Sequence, residues 1–203
     1  MAYQDWVAIA NDSPQGMGAG AVLNTAATAT ISPVTGIPSD VAAVAGAASP
    51  GGWYPGMAVR YTARGYLTTT ATSTTATFLL ASRVANAGST FVTLATTAGI
   101  TTGTTVLTGL QWALHGISRC TAVATSGNTI STQFELTIMN NVTAPSLNAA
   151  TNGVLLVACG PNVSGETAAA VDTTQLQGLG LRATLAGANA TVQLTQWVVE
   201  TLN

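Results

Sequence analysis

Over residues 57–67 the chain alternates with a period of two. Met57, Val59, Tyr61, Ala63, Gly65 and Leu67 share one face of an extended segment, and Arg60, Thr62, Arg64 and Tyr66 share the other. The segment reads as a half-buried strand with two arginines turned away from the core together. The period returns at Leu110, Trp112 and Leu114 against Gln111, Ala113 and His115, in a strand that runs on toward residue 124. It returns again at Phe134, Leu136 and Ile138 against Gln133, Glu135, Thr137 and Met139, and at Leu181, Ala183 and Leu185. In the last segment, Val192, Leu194, Gln196 and Val198 are expected to oppose Gln193, Thr195, Trp197 and Val199. Residues 26–32, 74–81 and 91–97 read as further strands, and the unbroken apolar run 154–158 reads as a central one.

Turn formers separate these runs. They include Thr101-Thr-Gly-Thr, a tight hairpin-style Ser126-Gly-Asn, and Gly-Ala-Asn at 187–189; residues 36–52, rich in Gly, Pro, Ala and Ser, read as a long loop. Helix formers other than Ala and Leu are scarce, and the alanines sit in runs broken by Gly, Thr and Pro. Eight to ten short strands with regular turn signals define an all-β fold, expected to be a single antiparallel β-sandwich or barrel domain over residues 25–203. Residues 1–24 read as an extended N-terminal arm. Tyr3, Trp6, Val7 and Ile9 are apolar side chains that a free tail would not keep in water, so two seats stand open: a neighbouring subunit, or the chain's own domain.

Charged residues are only 6% of the 203, lysine is absent, and the formal net charge is -2. Such a chain has little electrostatic repulsion to keep its copies apart, which suits a subunit of an assembly. It lacks the clustered cations that phosphate contacts need, so nucleic acid is not an expected partner. No apolar run approaches the roughly 18 residues of a spanning helix, so no membrane is expected, and the first residues carry no basic and apolar leader pattern. Cys120 and Cys159 are expected to be buried free thiols.

Catalytic groups are sparse. His115 is the sole histidine, with no ligand-spaced partner, so no metal site is expected. The seven acids Asp5, Asp12, Asp40, Glu135, Glu166, Asp172 and Glu200 stand singly. There is no nucleophile elbow, no phosphate loop and no lysine for a Schiff base, and the expectation is a non-enzyme without cofactors. Asn141, Asn162 and Asn189 open glycosylation sequons, to which a chain without a leader gives little weight. On so neutral a surface each arginine is expected to have a particular partner, a carboxylate or an aromatic face. Arg60, Arg64 and Tyr66 are therefore candidates for contact between subunits, against a local pairing with Asp or Glu.

The stretch W53-Y-P-G-M-A-V-R-Y-T-A-R-G-Y-L-T-T-T70 resembles a segment of small β-rich structural proteins of tailed bacteriophages, in which a Pro-Gly turn leads into an Arg-x-x-Ala-x-Gly type of strand. A76-T-F-L-L-A-S and L110-Q-W-A-L are similar to the strands that follow there, and V171-D-T-T through V198-V-E-T-L-N203 is similar to that family's close. The resemblance spans residues 53–203 and implies a jelly-roll-like virion protein. It would be made in the host bacterial cytoplasm and sit on the capsid surface as a head decoration (cement) protein. It would bind the major capsid protein and itself, with a homotrimer expected from shell symmetry. The alternatives are a tail, fibre or baseplate subunit, or a carbohydrate-binding sandwich that meets the host with Trp53, Tyr54 and Trp112 as stacking faces.

Overall fold

The computed structural model of the chain describes residues 7–12, 22–32, 35–36, 53–84, 91–140, 153–159, 167–169, 171–174 and 177–202. The described residues are all-β, and every strand pair is antiparallel. The strands are β1 (Val7–Asp12), β2 (Val22–Leu23), β3 (Thr28–Thr30), β4 (Thr35–Gly36), β5 (Ala58–Thr69), β6 (Thr75–Val84) and β7 (Val92–Thr96). They continue as β8 (Ile100–Thr101), β9 (Leu107–Cys120), β10 (Ile130–Asn140), β11 (Gly153–Cys159), β12 (Thr167–Ala169), β13 (Gln177–Leu185) and β14 (Ala190–Leu202).

The larger sheet runs β1-β14-β5-β9-β10-β11, with β2 also on β14 and β12 also on β10; the smaller runs β3-β13-β6-β7, with β4 and β8 at its margins. Among the described residues the chain crosses between the two sheets six times. Setting aside β10–β12, the two orders β1-β14-β5-β9 and β3-β13-β6-β7 are the doubled Greek key of a jelly roll. The β10–β12 segment extends the larger sheet beyond β9.

The alternation expected for β5, β9, β10 and β13 is the observed one: Val59, Tyr61, Ala63, Leu67, Leu110, Trp112, Leu114, Phe134, Leu136, Ile138, Leu181 and Ala183 are all buried. The sheets meet through aromatics. Phe78 of β6 packs on Trp112 of β9 at 4.9 Å between centroids and 55°, and within the larger sheet Tyr61 lies 6.3 Å from Trp197. Glycine at 65 is required by this packing. A Cβ there would fall 1.9 Å from the Gln193 carbonyl oxygen and 2.5 Å from the Trp112 ring.

Four local expectations are corrected. In β14 the inward set is Val192 and Leu194, then Trp197 and Val199, because a bulge between Leu194 and Gln196 adds one residue and flips the phase. The apolar run 154–158 forms β11, which ends the path of the larger sheet instead of lying within it, since β12 and β11 share one side of β10. An apolar run reports what covers a strand's faces, and its edges are a separate matter. Ser126-Gly-Asn lies inside a nine-residue connection, 121–129, and β9 stops at Cys120. A second bulge, where Gly109 adopts φ +69°, sets Thr108 and Gly109 against Thr68 at the start of β9.

The hydroxyl-rich composition has a structural use. Thr129 Oγ1 donates to the Val171 carbonyl (2.6 Å) and accepts from the Val171 amide (2.9 Å). Thr173 Oγ1 lies 3.1 and 3.2 Å from the Ala122 and Ala124 carbonyls and accepts from the Ala124 amide. The Val171-Asp-Thr-Thr segment thereby latches the β9–β10 connection. Ser118 and Thr132 pair their hydroxyls at 2.8 Å in the interior, and Thr69 bridges the Thr105 carbonyl and the Leu107 amide. Buried backbone groups at strand ends find partners here without any charge being buried.

Val7–Asp12 of the expected arm pair with β14, and Val22–Leu23 pair with it further along. For these residues the backbone follows the second of the two seats, on the chain's own domain. Residues 1–6, 13–21 and 37–52 lie outside the described residues, and with them Tyr3, Trp6 and most of the expected loop.

Candidate functional site

The outward positions of the larger sheet fall into rows set by register. One row reads Glu200, Arg60, Ile117, Gln133; the next Val198, Thr62, His115, Glu135; the third Gln196, Arg64, Ala113, Thr137. Gln193, Tyr66 and Gln111 form the fourth, with Met139 beyond them on β10. The third row is short in its middle, at Ala113 and Thr137. Longer side chains stand on either side of it, and the result is an open depression of about 510 Å³ bordered by Arg64, Tyr66, Gln111, His115, Met139 and Thr195.

The bulge in β14 contributes directly. It turns Thr195 toward this face, and Thr195 Oγ1 donates to the Arg64 carbonyl at 3.0 Å, which fixes the β5 backbone where the guanidinium leaves it. His115 is exposed, and its Nδ1 lies 3.4 Å from Thr62 Oγ1. Tyr66 is 39% exposed, Ile117 46% and Met139 52%.

The arginines divide by partner. Arg60 Nε donates to Glu200 Oε2 at 2.7 Å, so it has its carboxylate within the chain. Arg182 lies over the Phe91 ring, 4.7 Å from its centroid. Arg64 and Arg119 are exposed, and neither they nor Glu135 form an ion pair among the described residues. Of the three residues assigned from sequence to contact between subunits, Arg60 is therefore already held, while Arg64 and Tyr66 border the depression together. Tyr3 and Trp6 lie outside the described residues; Val7 and Ile9 stand in β1.

Trp53 and Trp112 are buried, at 0% and 2% exposure, so they offer no stacking face to a sugar; they belong to the core. Tyr54 is half-buried against that core, and its burial raises its pKa. Cys120 is a free thiol, and burial pushes its pKa up to about 11, against a weaker lowering by the Ala122 backbone. Cys120 faces Ile130 across one side of β10 while Cys159 faces Phe134 across the other. Two strand spacings and four residues put their Cα atoms roughly 16 Å apart, beyond disulfide reach.

Among the described residues no three of His, Cys, Asp and Glu gather where they could hold a metal ion, and no helix is long and apolar enough to cross a membrane. Sequence reasoning named the outward residues of β5 and missed Gln111, Ala113, Thr137, Met139 and Thr195 as their neighbours. Alternation shows which way a residue points; only register shows which row it joins. No family model matches the chain, and no curated protein matches it.

Proposed function

We propose that the chain is a non-enzymatic virion structural protein, a decoration (cement) subunit that binds the exterior of a tailed-phage head and stabilises it as a homo-oligomer. The observation that carries the reading is the doubled Greek-key order combined with a nearly uncharged chain whose larger sheet keeps exposed apolar side chains on its outer face. Jelly rolls serve in viral shells as well as in lectins and cupins, so the fold by itself leaves the choice open. The resemblance of residues 53–70 and 171–203 to phage structural proteins turns it toward the virion. Decoration needs no chemistry: a protein that binds the closed shell and not its dissociated subunits stabilises the shell by mass action.

Tyr3 and Trp6 are the proposed shell anchors, with the trimer that three-fold shell positions favour as the proposed assembly. The test uses heads of the phage that encodes the chain. Purified protein should cosediment with them saturably and raise the temperature at which they open. The Tyr3→Ala/Trp6→Ala variant should bind at least about ten-fold more weakly. Binding to tails alone, or no binding to heads, would overturn the assignment.

A further inference from the structure

We infer that the depression around Arg64 is a binding site for a carboxylate-bearing sugar, a uronate unit of a surface glycan. The inference goes beyond shell decoration and does not depend on it. It gives Arg64 and Tyr66 a use other than contact between copies.

Four features point to this ligand. The first is charge. Arg64 has no acid partner among the described residues, unlike Arg60, and a planar guanidinium grips a carboxylate through two parallel hydrogen bonds. The second is the aromatic. Tyr66, two residues along the same face of β5, borders the depression with 39% of its surface exposed, and a tyrosine ring offers a stacking face to a pyranose. The third is the polar rim. Gln111, His115, Thr137 and Thr195 bring amide, imidazole and hydroxyl groups, matched to sugar hydroxyls that both donate and accept. The fourth is shape. Ala113, opposite Arg64 in register, leaves the space, and about 510 Å³ lies within the roughly 300–1,000 Å³ of small-molecule sites.

The site sits on rigid strands, and the Thr195 bulge bonds back to the Arg64 carbonyl. A bulge at this point re-aims the strand beside the guanidinium. The open form of the depression suits the end or edge of a glycan and would make for weak binding to a single copy, strengthened when several copies are presented together.

The test is titration of the purified full chain with a glucuronate-containing tetrasaccharide, followed by amide NMR shifts and calorimetry, with neutral chitotetraose as the control. The acidic sugar should bind with a dissociation constant in the millimolar range or tighter and shift the amides of residues 64–66, 111–115 and 195. Arg64→Ala and Tyr66→Ala should each weaken it at least about ten-fold, and 0.5 M salt should weaken the wild type, as a partly exposed charge contact requires. Both side chains are exposed, so the variants should keep the wild-type unfolding midpoint. Equal binding of chitotetraose would overturn the role given to Arg64. Absence of binding at 10 mM would overturn the site. So would an Arg64→Ala variant that changes the solution mass, since the guanidinium would then belong to contact between copies. None of these results bears on cosedimentation with heads.

Discussion

The two faces of strand β5 are built from interleaved residues of one twelve-residue segment, yet they obey different rules. On the inner face, Tyr61, Ala63, Gly65 and Leu67 are fully buried. Glycine at 65 is fixed there by the Gln193 carbonyl behind it and the Trp112 ring over it. On the outer face, Arg60, Thr62, Arg64 and Tyr66 meet solvent, and one short row leaves a depression in place of a packed contact. The inner face has one arrangement of volumes that fits. The outer face has few obligations to the fold, which leaves it free to recognise something else.

The largest effects should come from breaking the inner face. Trp112→Ala should cost about 3–5 kcal/mol in chemical unfolding, by loss of the Phe78 contact and creation of a cavity. Gly65→Ala should cost at least as much, because the obstacle includes backbone. The neighbour on the other face, Ala113→Ser, should stay within about 0.5 kcal/mol. A severe loss at Ala113 and a mild one at Gly65 would invert the comparison.

Cys120 comes next. Its thiol ordinarily titrates at 9.0, and burial raises this to about 11. Below pH 9 both folded and unfolded chains hold the proton, and nothing is lost. Between pH 9 and 11 the unfolded chain releases its proton first, so stability should fall by about 2–3 kcal/mol. Urea unfolding from pH 8 to 11 should therefore show a steeper decline in wild type than in Cys120→Ala. In a Cys159→Ser background the remaining thiol should resist iodoacetamide at pH 8 until the chain is unfolded.

Thr129→Val tests the latch and should cost about 1–3 kcal/mol, because the Val171 amide and carbonyl are left without their hydroxyl partner. The smallest effect belongs to the outer face. Arg60→Ala removes a pair whose arginine is 48% exposed, and should cost less than about 1 kcal/mol, vanishing in high salt.

Much of this division was legible in the sequence. A period of two names the face of every residue in β5 and β10, and it placed Arg60, Arg64 and Tyr66 outward correctly. It failed in β14 because a bulge needs only one extra residue, and Thr195 carries no mark of it. The apolar run 154–158 reads as central because apolar composition speaks of covered faces and is silent about which strands flank it. The depression was not legible at all. Arg64, Ala113 and Thr137 come from three strands, and only the register of β5, β9 and β10 sets them in one row. The Val171-Asp-Thr-Thr motif was visible as a string, while its work as a latch depends on Thr129, more than forty residues earlier.

A nearly uncharged chain with exposed apolar side chains on one sheet suits a subunit of an assembly, as proposed above. The solution mass of the purified protein, by size-exclusion chromatography with light scattering, tests that most directly. A stable oligomer at a small multiple of 20.3 kDa, the trimer first among them, is the expected result. A soluble monomer that persists across the micromolar to millimolar range would contradict it.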